Sequence, residues 1–123
     1  MAFLTTVANS ILNELLRAEA ITPAASLMIG LHTADPGTTG ANEVSSTGGY
    51  ARQVIAFDSA SSKVSLNTSV INFTGMALTT VAFIGLYSTA SVLWWSGTMT
   101  PNKATAAGDT LQIAAGGVTA TLT

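Results

Sequence analysis

The chain has 123 residues and a mass of 12.5 kDa, enough for one domain spanning 1–123 and no more. It holds no cysteine, which excludes a disulfide framework, a thiolate zinc site and a cysteine nucleophile. Four Lys+Arg against six Asp+Glu give a net charge of −2, the wrong sign for holding nucleic acid. Only 8% of residues are charged, where soluble domains average about 25%, and nineteen Thr with twelve Ser supply a hydroxyl-rich surface instead. Such a surface costs little to desolvate, which suits a subunit packed against other subunits.

The first segment alone has helical spacing. Phe3, Leu4, Val7, Ile11, Leu12, Leu15 and Leu16 recur at three and four with polar residues between, which predicts one amphipathic helix from about Leu4 to Glu19. The first basic residue is Arg17, so the basic start of a secretory signal is missing. The expected role of this helix is to cap an open end of a sheet, since amphipathic helices most often face their own core; docking on a partner is the alternative.

From about residue 25 to 123 the pattern turns to short β-type runs divided by Gly, Asn, Asp and Pro. Strands are predicted at Ser26 to Thr33, Ala51 to Phe57, Lys63 to Leu66, Val70 to Phe73, Leu78 to Tyr87, Ser91 to Met99, Thr110 to Ala114 and Val118 to Leu122. Gly116-Gly117 predicts a hairpin joining the last two. The fold class is therefore mainly β: a single antiparallel β-sandwich, jelly-roll or immunoglobulin-like, of seven or eight strands with one N-terminal helix. Met76 to Met99 lies in a stretch without charge and resembles a membrane span in hydropathy, but Ser88-Thr89-Ala90-Ser91 divides it into two buried strands. No membrane span is expected.

Little in the chain speaks of chemistry. His32 is the only histidine and sits at a strand end with no partner motif, so it is expected to bond a neighbouring loop rather than act as a base. No G-x-S-x-G elbow accompanies the abundant hydroxyls, and no enzymatic activity is expected. Asp35-Pro36-Gly37 to Glu43 offers oxygen ligands, yet two carboxylates are few for a hard cation and Asp-Pro-Gly is a turn signal; no metal or other cofactor is expected. Arg52 is expected to tie this loop down through Asp35 or Glu43. Trp94 and Trp95 are neighbours in a strand, so their indoles should face opposite sides, leaving one for a covering element or a partner.

The residues also carry a resemblance. Gly30-Leu31-His32-Thr33-Ala34-Asp35-Pro36-Gly37, Asn42-Glu43-Val44-Ser45, Gly48-Gly49-Tyr50-Ala51-Arg52-Gln53, Ile84-Gly85-Leu86-Tyr87, Leu93-Trp94-Trp95 and Gly108-Asp109-Thr110-Leu111 with Ala115-Gly116 together resemble a family of short tailed-bacteriophage virion structural proteins, often labelled phage tail fibre proteins. The likeness spans nearly the whole chain. It departs at Met76-Ala77, where other members often carry an aromatic residue, and at Ser88 to Ser91, where a longer glycine-rich turn is usual. The resemblance implies a virion protein assembled in the host cytoplasm, with neither catalytic residue nor cofactor. A fibre shaft needs length or a repeating register, and 123 residues show neither. The leading expectation is thus a capsid decoration or cement protein, a dimer or trimer bound to the major capsid protein. The alternative is a tail fibre or baseplate component, or a receptor-binding knob, with tail proteins as partners. Interface candidates are Trp94, Trp95, Asp35, Glu43, Tyr50 and Arg52.

Overall fold

A computed structural model describes residues 2–20, 26–88 and 91–122. The two-residue strand β1 (Ala2–Phe3) leads into α1 (Thr5–Arg17), and β2 (Leu27–His32), β3 (Gln53–Ile55), β4 (Val64–Leu66), β5 (Ile71–Phe73), β6 (Thr79–Tyr87), β7 (Leu93–Thr105), β8 (Leu111–Ile113) and β9 (Thr119–Thr121) follow. All eight predicted strands are present, with β7 running six residues past its expected end. Thr89, Ala90 and the switch of pattern near Pro23 lie outside the described residues.

The expected single sandwich is only partly realised. One antiparallel sheet has the order β1-β7-β6-β2-β3, while β4 pairs with β9 and β5 with β8 in two short ribbons. Ile29, Leu31 and Ile55 from the sheet meet Ile71, Phe73, Met76, Leu111, Ile113 and Val118 in one buried cluster, which Val81, Ile84 and Leu86 of β6 complete. Alternation explains which residues enter it: β5 and β8 each read buried, exposed, buried over three residues. The Met76 to Met99 stretch resolves into β6 and β7, paired antiparallel. Ser88 and Ser91 close that hairpin, with Ser91 N–H donating to the Ser88 carbonyl at 2.9 Å. Among the described residues no helix is long and apolar enough to cross a membrane.

The Gly116-Gly117 hairpin does not form, and Asn67 shows why. Leu66 pairs with Thr119 and Ile71 with Ile113, so the four residues 67–70 face the five residues 114–118. The two ribbons are thus one ladder broken by a one-residue shift in register. The glycines turn inside that break, with Gly117 N–H on the Ala114 carbonyl at 2.9 Å, and they do not fold β9 back on β8. The Asn67 amide fills the gap, donating to the Ser69 and Ala114 carbonyls at 2.9 and 3.1 Å and accepting from Val118 N–H at 2.8 Å. Its side chain is 3% exposed, so no water replaces these bonds. Asn67→Ala orphans buried groups on both sides of the break and is expected to cost about 2–4 kcal/mol in urea unfolding.

The helix does not cap the sheet as expected. No residue of α1 is fully buried, and Leu12, Leu15 and Leu16 are 53, 74 and 77% exposed. A single turn of contact explains this: Leu4 N–H donates to the Trp94 carbonyl at 3.0 Å, and β1 pairs with Trp95 and Ser96, which pins the helix by its first residues. Its other end stops on Ala18 in the left-handed conformation, with Glu19 N–H on the Asn13 carbonyl at 3.3 Å. The stripe is covered only in part: Val7 and Ile11 are half-buried, and Leu12, Leu15 and Leu16 are left open.

Candidate functional site: a sealed polar network and an open apolar groove

Each face of the sheet bears a different structure. Ile29 and Leu31 of β2 point into the core, so Gly30 and His32 must occupy the opposite face. Gly30 lies across from Gly85 of β6, and these two glycines leave a trough. A Cβ on Gly85 would come within 3.0 Å of His32 Nε2 and Tyr87 Cε2, and one on Gly30 within 3.0 Å of Glu43 Oε1. Tyr87 lies in this trough, and its hydroxyl contacts His32 Nε2 at 2.9 Å. His32 Nδ1 contacts the Ala41 carbonyl at 2.8 Å. A carbonyl only accepts, so Nδ1 carries the proton and Nε2 accepts from Tyr87. The expectation that His32 bonds a neighbouring loop holds.

The loop is fastened at further points. Thr33 N–H donates to the Asn42 carbonyl and Val44 N–H to the Leu31 carbonyl, both at 2.9 Å. Arg52 forks onto Glu43, Nε to Oε1 at 2.8 Å and Nη2 to Oε2 at 2.7 Å, while its guanidinium lies 3.6 Å from the centre of the Tyr87 ring. Of the two acidic partners expected for Arg52, Glu43 is the one it takes. Asp35 stays in its own exposed turn, accepting from Gly37 N–H at 2.8 Å. The Tyr50 hydroxyl donates to Glu43 Oε1 at 3.1 Å and accepts from Leu31 N–H at 2.8 Å, while its ring stacks on Phe73 in the core.

Burial and pairing set the protonation of these groups. Burial opposes ionisation of Glu43, but the hydrogen bonds and charge of Arg52 outweigh it and hold the carboxyl below its ordinary value. Arg52 is pushed up, mainly by its hydrogen bond to Glu43. Burial raises both phenols and lowers His32, against the pull of the Ala41 carbonyl and Glu43. A carboxyl with a lowered folded value stabilises the fold above its ordinary 4.5 and loses that contribution as pH falls through the folded value. Glu43→Gln is therefore expected to cost about 1–2 kcal/mol at pH 7, the pair being about a quarter exposed. The variant should also lose stability less steeply than wild type below pH 4.5, as read by urea unfolding at both pH values.

The second feature is a cleft of about 590 Å³ between α1 and the end of the sheet, lined by Phe3, Val7, Ile11, Leu27, Trp94 and Trp95 among others. Both tryptophans line it, contrary to the expectation of opposite faces. Leu86 pairs with Trp95 but Tyr87 with Leu93, so Trp94 is an unpaired extra residue and strict alternation fails at this bulge. Both indoles are half-buried, and Phe3 packs on Trp95 with ring centres 4.3 Å apart.

Of the six interface candidates, the structure brings Trp94 and Trp95 together at the groove and Glu43, Tyr50 and Arg52 together in the network, and leaves Asp35 apart on the loop. The polar atoms of Glu43, Tyr50 and Arg52 are turned toward one another. Sequence reasoning missed Tyr87 and Gly40 at the network, and Asn67 in the break of the β4/β5 ladder. The signal for the network residues was that Gly30 and Gly85, set in otherwise apolar strands, had to leave room for something large.

The chain belongs to the family described as Podophage GP4 fiber I protein gp80, whose model matches residues 2–121. No curated protein matches the chain. The family is one of phage structural proteins, and the virion setting implied by the resemblance stands. Capsid decoration, the leading expectation, is not supported; the tail fibre alternative fits the family better.

Proposed function

We propose that the chain is a non-catalytic attachment module of the phage tail's fibre apparatus, seated on neighbouring tail or fibre proteins through α1 and the tryptophan groove. Membership in a fibre protein family carries this reading. The unspent side chains of Leu12, Leu15 and Leu16 beside a half-open aromatic cleft support it, because clustered exposed apolar side chains mark contact surfaces. The network around His32 then serves rigidity: it fixes the 33–50 segment on the far face of the sheet, so that seating the helix does not disturb it.

The test is to separate purified particles into heads and tails and to quantify the protein in each against the major capsid protein. A few copies per particle, confined to tails, are expected. Hundreds of copies in heads would return the protein to the shell and overturn the reading.

A further inference from the structure

The network holds a buried titratable group with a partner at each ring nitrogen. Relative exposure of His32 is 0%, and its two nitrogens have opposite duties, Nδ1–H donating to Ala41 and Nε2 accepting from Tyr87. The loop closes directly over this contact: a Cβ on Gly40 would lie 2.6 Å from the Tyr87 hydroxyl oxygen, so the loop backbone is the seal. We propose that His32 is an acid-released latch for the 33–43 segment, closed only while its Nε2 is unprotonated.

The argument is one of pairing. When Nε2 gains a proton it becomes a donor, and the Tyr87 hydroxyl must turn to accept from it. The phenolic proton then loses the acceptor it has, since the hydrogen bond of this hydroxyl is to His32. Water does not reach the pair, with His32 0% and Tyr87 1% exposed. A buried donor without a partner is costly, and so is an imidazolium beside the Arg52 cation. Of the other titratable groups around the ring, Glu43 favours the cation, while Tyr50 and Tyr87 stay neutral. Burial outweighs Glu43, and His32 is held below its ordinary 6.5. Lifting Gly40 and Ala41 admits water to both groups at once, so protonation and opening are coupled. The core cluster on the other face of β2 need not move.

The sign follows from linkage. The open form takes up the proton more readily, so the latch is fully closed above 6.5 and weakens as pH falls. Each pH unit below 6.5, down to the value of the closed form, raises the open population about tenfold.

His32 is the chain's only histidine, which makes the test unambiguous. Imidazole nitrogen NMR on the full chain should show a neutral ring protonated at Nδ1, titrating below 6.5. Hydrogen-exchange protection factors at Thr33, Ala41 and Val44 should fall across the same pH interval, while those of β5 and β8 stay constant. His32→Gln should abolish the step between pH 5 and 7. If His32→Gln does not fold, the wild-type ring titration and the pH dependence of protection decide by themselves. Titration at or above 6.5, protection that ignores pH, or a step that survives His32→Gln would each overturn the latch.

Discussion

Gly75→Ala is expected to destabilise the protein by about 2–5 kcal/mol, a large part of the roughly 5–15 kcal/mol that holds a domain of this size. Gly75 has φ +65°, where an L side chain adds about 1–2 kcal/mol of strain. The larger part is steric. A Cβ at Gly75 would fall inside the contact distance of the Gly48 carbonyl oxygen, and a Cβ at Gly48 would in turn stand 3.0 Å from the Gly75 carbonyl. Two backbones cross here, and neither can retreat. Gly75 leads into Met76, which is fully buried and bonded to the 108–109 turn through both its N–H and its carbonyl; Gly48 leads into Tyr50, whose ring is in the core. Overpacking of this kind adds about 1–3 kcal/mol. Gly37→Ala is the control: φ is +60° but nothing lies within 4 Å of the added carbon, so only the strain, about 1–2 kcal/mol, should appear. Urea unfolding of both variants separates the two contributions.

Changing Leu12, Leu15 and Leu16 together to Gln is expected to leave the fold intact and to remove the protein from particles. The three side chains touch no core, and Gln equals Leu in helix propensity, so unfolding should shift by no more than about 0.5 kcal/mol per site. If the same side chains are buried on assembly, each contributes on the order of 1 kcal/mol or more to the contact. The triple variant should then incorporate about a hundredfold less. Leu78→Gln, 82% exposed at the opposite end of the β6–β7 hairpin, should incorporate normally. Normal incorporation of the triple variant would show that α1 is not the seat.

Where the fold was legible in the sequence, local pattern decided it. Every predicted strand formed because β-type runs between Gly, Asn and Pro depend on near neighbours, and the β6–β7 hairpin followed from the polar break at Ser88 to Ser91. Pairing was less legible. Gly116-Gly117 has the local chemistry of a hairpin, yet Asn67, about fifty residues away, holds the turn open with three side-chain hydrogen bonds. Trp94 and Trp95 misled for a similar reason: alternation puts neighbours on opposite faces only while the ladder is regular, and the bulge at Trp94 breaks it. The loop tie was half visible, since Arg52 needed an acid, but the choice of Glu43 over Asp35 depends on the pairing of Leu31 with Val44. The helix was placed correctly and its role was not. Its stripe has the spacing of a core helix, and spacing cannot say which body supplies the other half of the contact.

The most direct measurement is hydroxyl-radical footprinting of intact particles against the free protein. Leu12, Leu15, Leu16 and Trp94 should lose most of their reactivity in the particle, while the exposed Thr38 and Thr39 of the loop react alike in both. Full reactivity of the helix and groove in assembled virions, with protection confined to the loop, would contradict the account.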